Sequence, residues 1–160
     1  MLKKRVIFVL LYDKGTFMLS RNFRLQKVGD LRWLKKNYDF SRIAFSIDEL
    51  IILDVSRGDR DEEKFCEHVR SLSGECFIPI AAGGGIRNIE QAQKLLYSGA
   101  DKIVVNSLLA KDEDAIMKIA SKFGQQCLVA SVDVKKTGDG PRCFVENGTT
   151  MLSASLSEYL

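Results

Sequence analysis

Three consecutive glycines, Gly83, Gly84 and Gly85, follow the apolar run Phe77–Ala82 and precede a helical pattern. Bare backbone at such a junction lets N–H groups approach an anion closely, and the field of a helix start strengthens the attraction. A tight turn also uses glycine, but a triplet exceeds what one turn needs, so phosphate binding is the preferred reading. Asn106-Ser107 closes the next apolar run and offers an amide, a hydroxyl and further N–H groups to the same anion. Two carboxylates occupy comparable places, Asp54 at the end of "IILD" and Asp133 at the end of "VASVD". A carboxylate at the end of a buried strand can act as acid or base on a substrate held nearby, or can anchor a loop. Proton transfer is the preferred role for Asp133, and loop anchoring the preferred role for Asp54.

The remaining reactive side chains point to little. Cys66, Cys76, Cys127 and Cys143 show neither metal nor redox spacing, and read as reduced thiols of a cytoplasmic protein. His68 is the sole histidine; "CEH" is not a ligand spacing, and it reads as a helix-surface residue. Asn147-Gly148-Thr149 matches a glycosylation sequon that carries no meaning in that compartment. No metal cluster and no cofactor is expected: the G-x-G-x-x-G fingerprint and the phosphate loop ending in Gly-Lys-Ser/Thr are both missing. The 24 basic and 21 acidic residues are interspersed, with a net charge of +3, which argues against nucleic-acid binding. The start, "MLKKRVIFVLLYDKG", has basic and then apolar residues, but Asp13 and Lys14 interrupt the run and no small-residue cleavage site follows. It reads as a buried first strand, and no segment approaches the ~20 apolar residues of a membrane span.

These groups need a frame to hold them. Apolar, strand-like runs cover Arg5–Leu11, Leu50–Asp54, Phe77–Ala82, Ile103–Asn106 and Cys127–Asp133. Helical stripes separate the later ones: Phe65, Val69 and Leu72; Ile89, Ala92, Leu95 and Leu96; Ala115, Ile116, Ile119 and Phe123. Asn88 suits an N-cap with Gln91 at the capping-box position, and Gly99 and Gly124 suit helix ends. A first helix from about Leu31 to Tyr38 follows what reads as a long polar loop. Near-continuously apolar strands alternating with helices predict a parallel sheet buried on both faces. A strand spacing of roughly 25 residues favours a (β/α)8 barrel of the TIM type over an open sheet. In such a barrel the glycines and carboxylates fall on the catalytic face. The 160 residues are expected to form a single domain.

The stretches "MLKKRVI", "IDELIILDVS", "IPIAAGGGIRNIEQAQKLLYSGADKIVVNS" and "FGQQCLVASVDVKK" resemble the cyclase subunit of imidazole glycerol phosphate synthase, the HisF family. The likeness runs over essentially the whole chain and keeps the motif order. The glycine motif alone would also admit the sister isomerase of histidine biosynthesis; "DELIILD" and "NS" favour the cyclase. The resemblance implies an enzyme that takes ammonia from a glutaminase subunit through the barrel. The ammonia is used on a ribulosyl phosphate aminoimidazole-carboxamide substrate. It also implies that Gly83, Gly84, Gly85, Asn106 and Ser107 form one of two phosphate sites, and that Asp133 is one of two catalytic aspartates. Arg5, Glu49 and Lys102 are implied as three of four charged residues at the ammonia entrance, and Asp101 as part of the glutaminase interface. A structural ion-pair ring on the barrel floor is the plainer reading of those charges.

Two departures qualify the expectation. Where the family carries its other catalytic aspartate, this chain has Leu11, and the substrate-loop lysine is Leu19. A leucine moves no proton, so ordinary cyclase chemistry is in doubt, whereas the ammonia machinery is kept. That pattern resembles paralogues linked to surface-polysaccharide synthesis, which implies a sugar amidotransferase as a further partner. Asp13 lies two residues on, a weak substitute. The second departure is length: five barrel strands are expected here, against eight in about 250 residues for a full barrel. The end, "LSASLSEYL", reads as lying inside the fifth helix. Open edges at Val6–Leu11 and Cys127–Val132 predict self-association.

Overall fold

The computed structural model describes residues 4–159; Met1–Lys3 of the "MLKKRVI" motif lie outside them. Five strands form the expected parallel series: β1 (Ile7–Asp13), β4 (Glu49–Asp54), β5 (Ile80–Gly83), β6 (Lys102–Val105) and β7 (Leu128–Ala130). Between them run α1 (Leu31–Asn37), α2 (Phe40–Ile43), α3 (Glu62–Ser73), α4 (Ile89–Tyr97), α5 (Ser107–Lys111) and α6 (Glu113–Phe123). Five parallel strands each paired with the next in chain order make a partial (β/α) barrel of the TIM type.

The segment expected to be a polar loop is instead a hairpin, β2 (Thr16–Arg21) and β3 (Arg24–Gly29). It extends the sheet to seven strands in the order β3-β2-β1-β4-β5-β6-β7. After β7 the chain builds a separate antiparallel sheet of β8 (Asp133–Thr137), β9 (Gly140–Val145) and β10 (Thr150–Ser155). "LSAS" therefore belongs largely to β10 rather than to a fifth helix, and only a four-residue turn, α7 (Leu156–Tyr159), follows. The hairpin also corrects the expectation of a fully open first edge. β2 pairs with Leu11, Tyr12 and Asp13, so the C-terminal half of β1 is covered.

Alternation along the strands sorts their side chains onto two faces. In β1, Leu10 and Tyr12 are 6% and 1% exposed beneath the helices, whereas Ile7 and Val9 on the other face are 43% and 47% exposed. Leu50, Ile52, Ile80, Ala82, Ile103 and Val105 continue the covered face and pack on Leu34, Phe65, Val69, Leu72, Leu95 and Ile119 from the helices. The register Ile7–Glu49, Val9–Ile51 and Leu11–Leu53 puts those six residues together on the inward face. Helix starts are set by acceptors one step before the first turn. Asp30, Asp61, Asn88 and Asp112 each take the N–H three residues on.

Two strand starts are tied in the same way at the barrel floor. Asp48 donates its N–H to the Val6 carbonyl and accepts the Val6 N–H on its carboxylate at 2.7 Å. Asp101 does the same to Ile80, with the side-chain bond at 2.8 Å. All four cysteines are buried and unpaired. His68 is not a plain surface residue: it is half-buried, with its ring 5.0 Å from Tyr12 and 6.2 Å from Phe17.

Candidate functional site

At the C-terminal ends of β4, β5 and β6 the three glycines are fixed by their neighbours. A Cβ on Gly83 would overlap the Val104 carbonyl of β6, and one on Gly84 would overlap the Asp54 carbonyl of β4. Gly84 and Gly85 take φ +112 and +70, open to glycine without strain. A Cβ on Gly85 would strike the Arg60 guanidinium. Close packing against β6 and β4 thus accounts for Gly83 and Gly84, and Gly85 sits against the Arg60 side chain. Arg60 donates to the Ser56 carbonyl at 2.7 Å, and its Nε lies 3.8 Å from Asp54 Oδ2 without forming a hydrogen bond.

Asp54 belongs to the covered face. Its carboxylate accepts the Ser56 N–H at 2.9 Å and faces Arg60. It anchors the loop after β4 and does not reach the lumen, so the anchoring reading holds.

Asp133 opens β8 rather than ending β7, because Ser131 and Val132 break the strand between them. Half-buried, its carboxyl is pushed above its ordinary value of 3.8, mainly by burial. The polar side chain of nearby Asn106 and the charge of Lys135 pull the other way. Asn106 makes no side-chain cap for α5. Ser107 accepts the Glu146 N–H on its hydroxyl oxygen at 3.1 Å. Glu146 also pairs with Lys111, which, more than Ser107 or Arg87, holds its carboxyl below the ordinary value. The turn after β9 thus seats the small sheet on the end of β6.

Leu11 lies on the inward face of β1 with Asp13 two residues on, and pairs with Leu53. Leu19 is 62% exposed on β2.

The floor cluster comes together. Glu49, only 4% exposed, accepts from Arg5 at 2.6 Å on one oxygen and from Lys102 at 2.9 Å on the other. Asp101 directly precedes Lys102 in sequence but commits its carboxylate to the Ile80 N–H.

Sequence reading missed Arg60, Phe23 and Lys135. Lys135 Nζ sits 4.7 Å from the ring centres of both Phe23 and Phe144 and also bonds the Gly148 carbonyl. The available signal was Asn22-Phe23 between two alternating runs, a hairpin turn with an aromatic where glycine is usual.

Parallel strands with glycine backbone and a carboxyl at their C-terminal ends, above a charged floor, define a TIM-type barrel scaffold. The comparisons with known proteins give its family. The model of the histidine biosynthesis protein family matches residues 34–160, and the chain belongs to that family. It is 49% identical over its full 160 residues to a Parasynechococcus marenigrum protein provisionally named imidazole glycerol phosphate synthase subunit hisF2, covering 60% of that protein. It is 33% identical over 161 aligned residues to imidazole glycerol phosphate synthase subunit HisF of Natranaerobius thermophilus, covering all of this chain and 62% of the relative. The subunit HisF of Dictyoglomus thermophilum is 40% identical over 125 residues, or 78% of this chain and 46% of the relative. The chain therefore spans between 46% and 62% of the length of these relatives. Among the described residues, no helix is long and apolar enough to cross a membrane.

Proposed function

We propose that residues 1–160 form one unit of a HisF-type synthase subunit that accepts ammonia from a glutaminase partner and delivers it to a phosphorylated substrate. The glycine loop with Asn106-Ser107 takes a phosphate of that substrate, and Asp133 is the proton-transfer group. Burial favours the protonated form of Asp133, which suits a residue that must give a proton as well as take one. The Arg5–Glu49–Lys102 cluster is the ammonia gate, with Asp101 at its rim, and docking of the glutaminase on this floor completes the entrance. Buried, unpaired thiols suit a reducing compartment such as the cytoplasm.

The observation that carries the specialised reading is Leu11. It faces the lumen beside Leu53, so the second aspartate of the family's proton-transfer pair is replaced by an apolar side chain in the same inward place. Loss of one general acid–base group costs roughly 10²–10⁴-fold. The acceptor is accordingly a different phosphorylated molecule, a surface-polysaccharide sugar handled with an amidotransferase, rather than the histidine-pathway intermediate.

The test uses the full-length gene product with its glutaminase. It should fail to rescue a histidine auxotroph lacking the cyclase, yet raise glutaminase turnover. Lys102→Ala should remove that stimulation while leaving phosphate binding intact. Rescue of the auxotroph would restore the ordinary cyclase reading. Stimulation that needs no phosphorylated acceptor would point to an ammonia-passing scaffold.

A further inference from the structure

A second opening lies apart from the glycine loop, at the C-terminal ends of β1 and β4. Asp13, Lys14, Phe23, Arg24, Leu25 and Arg57 line a cavity of ≈450 Å³, within the range of small-ligand sites. Three cations face one carboxylate there, and none of Lys14, Arg24 and Arg57 has an ion-pair partner among the described residues.

The wall is also held in place. Arg57 donates from Nη2 to the Phe23 carbonyl at 3.0 Å, which orients its guanidinium. Phe23 has φ +63, a left-handed conformation that an aromatic residue adopts only at a cost of about 1–2 kcal/mol. Such strain persists where the surroundings enforce it. Here Lys135 enforces it from the other side, its ammonium lying between the Phe23 and Phe144 rings. The hairpin tip is thus pinned by the loop after β4 and by the small sheet, and the three cations project from a fixed rim.

We propose that this cavity is a second anion subsite, taking a phosphate or diphosphate group of a ligand. Two guanidinium forks suit phosphoryl oxygens in a bidentate manner that lysine does not match. The inference is independent of the glycine-loop site.

Titration of the full chain with inorganic pyrophosphate, followed by calorimetry and by ³¹P line broadening, tests this. The wild type should show two classes of site. Arg24→Gln with Arg57→Gln should weaken one class by about tenfold or more, as expected when hydrogen bonds to charged groups are lost. Lys36→Gln with Lys118→Gln, an equal change in net charge at exposed distant positions, should leave both classes unchanged. Gly85→Asn, whose φ asparagine can adopt and whose Cβ pushes the Arg60 guanidinium aside, should perturb only the other class. Matching thermal melts establish that each variant is folded. Unaltered pyrophosphate binding in the arginine variant overturns the proposal, and so does an equal loss in the charge-matched control. If Gly85→Asn changes nothing while the arginine variant loses its class, the glycine-loop reading falls and the cavity stands.

Discussion

At the scale of single residues, Asp133 couples stability to pH in a direction opposite to most carboxylates. Its folded value lies above the ordinary 3.8 because burial disfavours the charge. The folded chain therefore holds this proton to higher pH than the unfolded chain does. A penalty to folding starts near the ordinary value, grows as pH rises to the folded value, and is complete above it. Asp133→Asn should lift the melting temperature near neutral pH and flatten its dependence across that acidic window. If Asp133 moves the proton as proposed, the same change should cost the proposed synthase activity roughly 10²–10⁴-fold. A melting curve that tracks the wild type at every pH would show the carboxyl to be better solvated than its burial implies. Tyr12 offers a second case. Its ring is 1% exposed against Phe17 and Phe65, and burial pushes its hydroxyl up to about 12. The hydroxyl makes no hydrogen bond, the Gly15 N–H approaching it without reaching bonding geometry. Tyr12→Phe should therefore be neutral or stabilising by about 1 kcal/mol, whereas Tyr12→Ala should cost about 3–5 kcal/mol in a urea titration.

At the scale of elements, α4 shows how local signals and site geometry meet. Asn88 accepts the Gln91 N–H at 2.9 Å, and Gln91 reaches back to accept the Arg87 N–H at 2.7 Å. Asn88→Ala should cost about 1 kcal/mol by chemical denaturation and loosen the start of the helix that follows the glycine loop. The parallel strands and this helix were legible because each carries one clear period, continuous apolar runs for strands covered by helices and a 3.6 stripe for α4. The two antiparallel pieces were not. Half of β2 and β3 faces solvent, so "TFMLSRNFRLQKVG" reads as polar, and its turns at Lys14-Gly15 and Asn22-Phe23 lack the usual Asn-Gly. Asn147-Gly148 was that usual dipeptide, and Glu146, Asn147 and Gly148 all take positive φ in the β9–β10 turn. Its match to a sequon drew attention from its turn chemistry. For the site, spacing revealed the glycines, whereas the floor charges came from the family resemblance; both sit at strand ends. It misplaced Asp133 by reading through the break at Ser131-Val132, and it could not see Arg60 or Lys135. Their roles depend on packing between elements far apart in sequence.

For the whole molecule, the inward face is the telling surface. Ile7 and Val9 are half exposed there, and among the described residues β7 has β6 as its only strand partner. The 160-residue chain should self-associate through β7 or through this apolar face. Sedimentation velocity across a concentration series checks it, and a monodisperse monomer at high concentration would count against it. The paired bonds that Asp48 makes to Val6 and Asp101 makes to Ile80 bear on the opposite end of the barrel. Each holds the residue just before a strand against its neighbour, and so counts off the register of everything downstream. Slipping either pair by one position would turn its strand over, since facing alternates with every residue. Glu49 and Lys102, each next in line after such an aspartate, would then point into the helix layer instead of the lumen. The two aspartates act as a ruler's zero mark, and the polarity of the barrel floor is written from it.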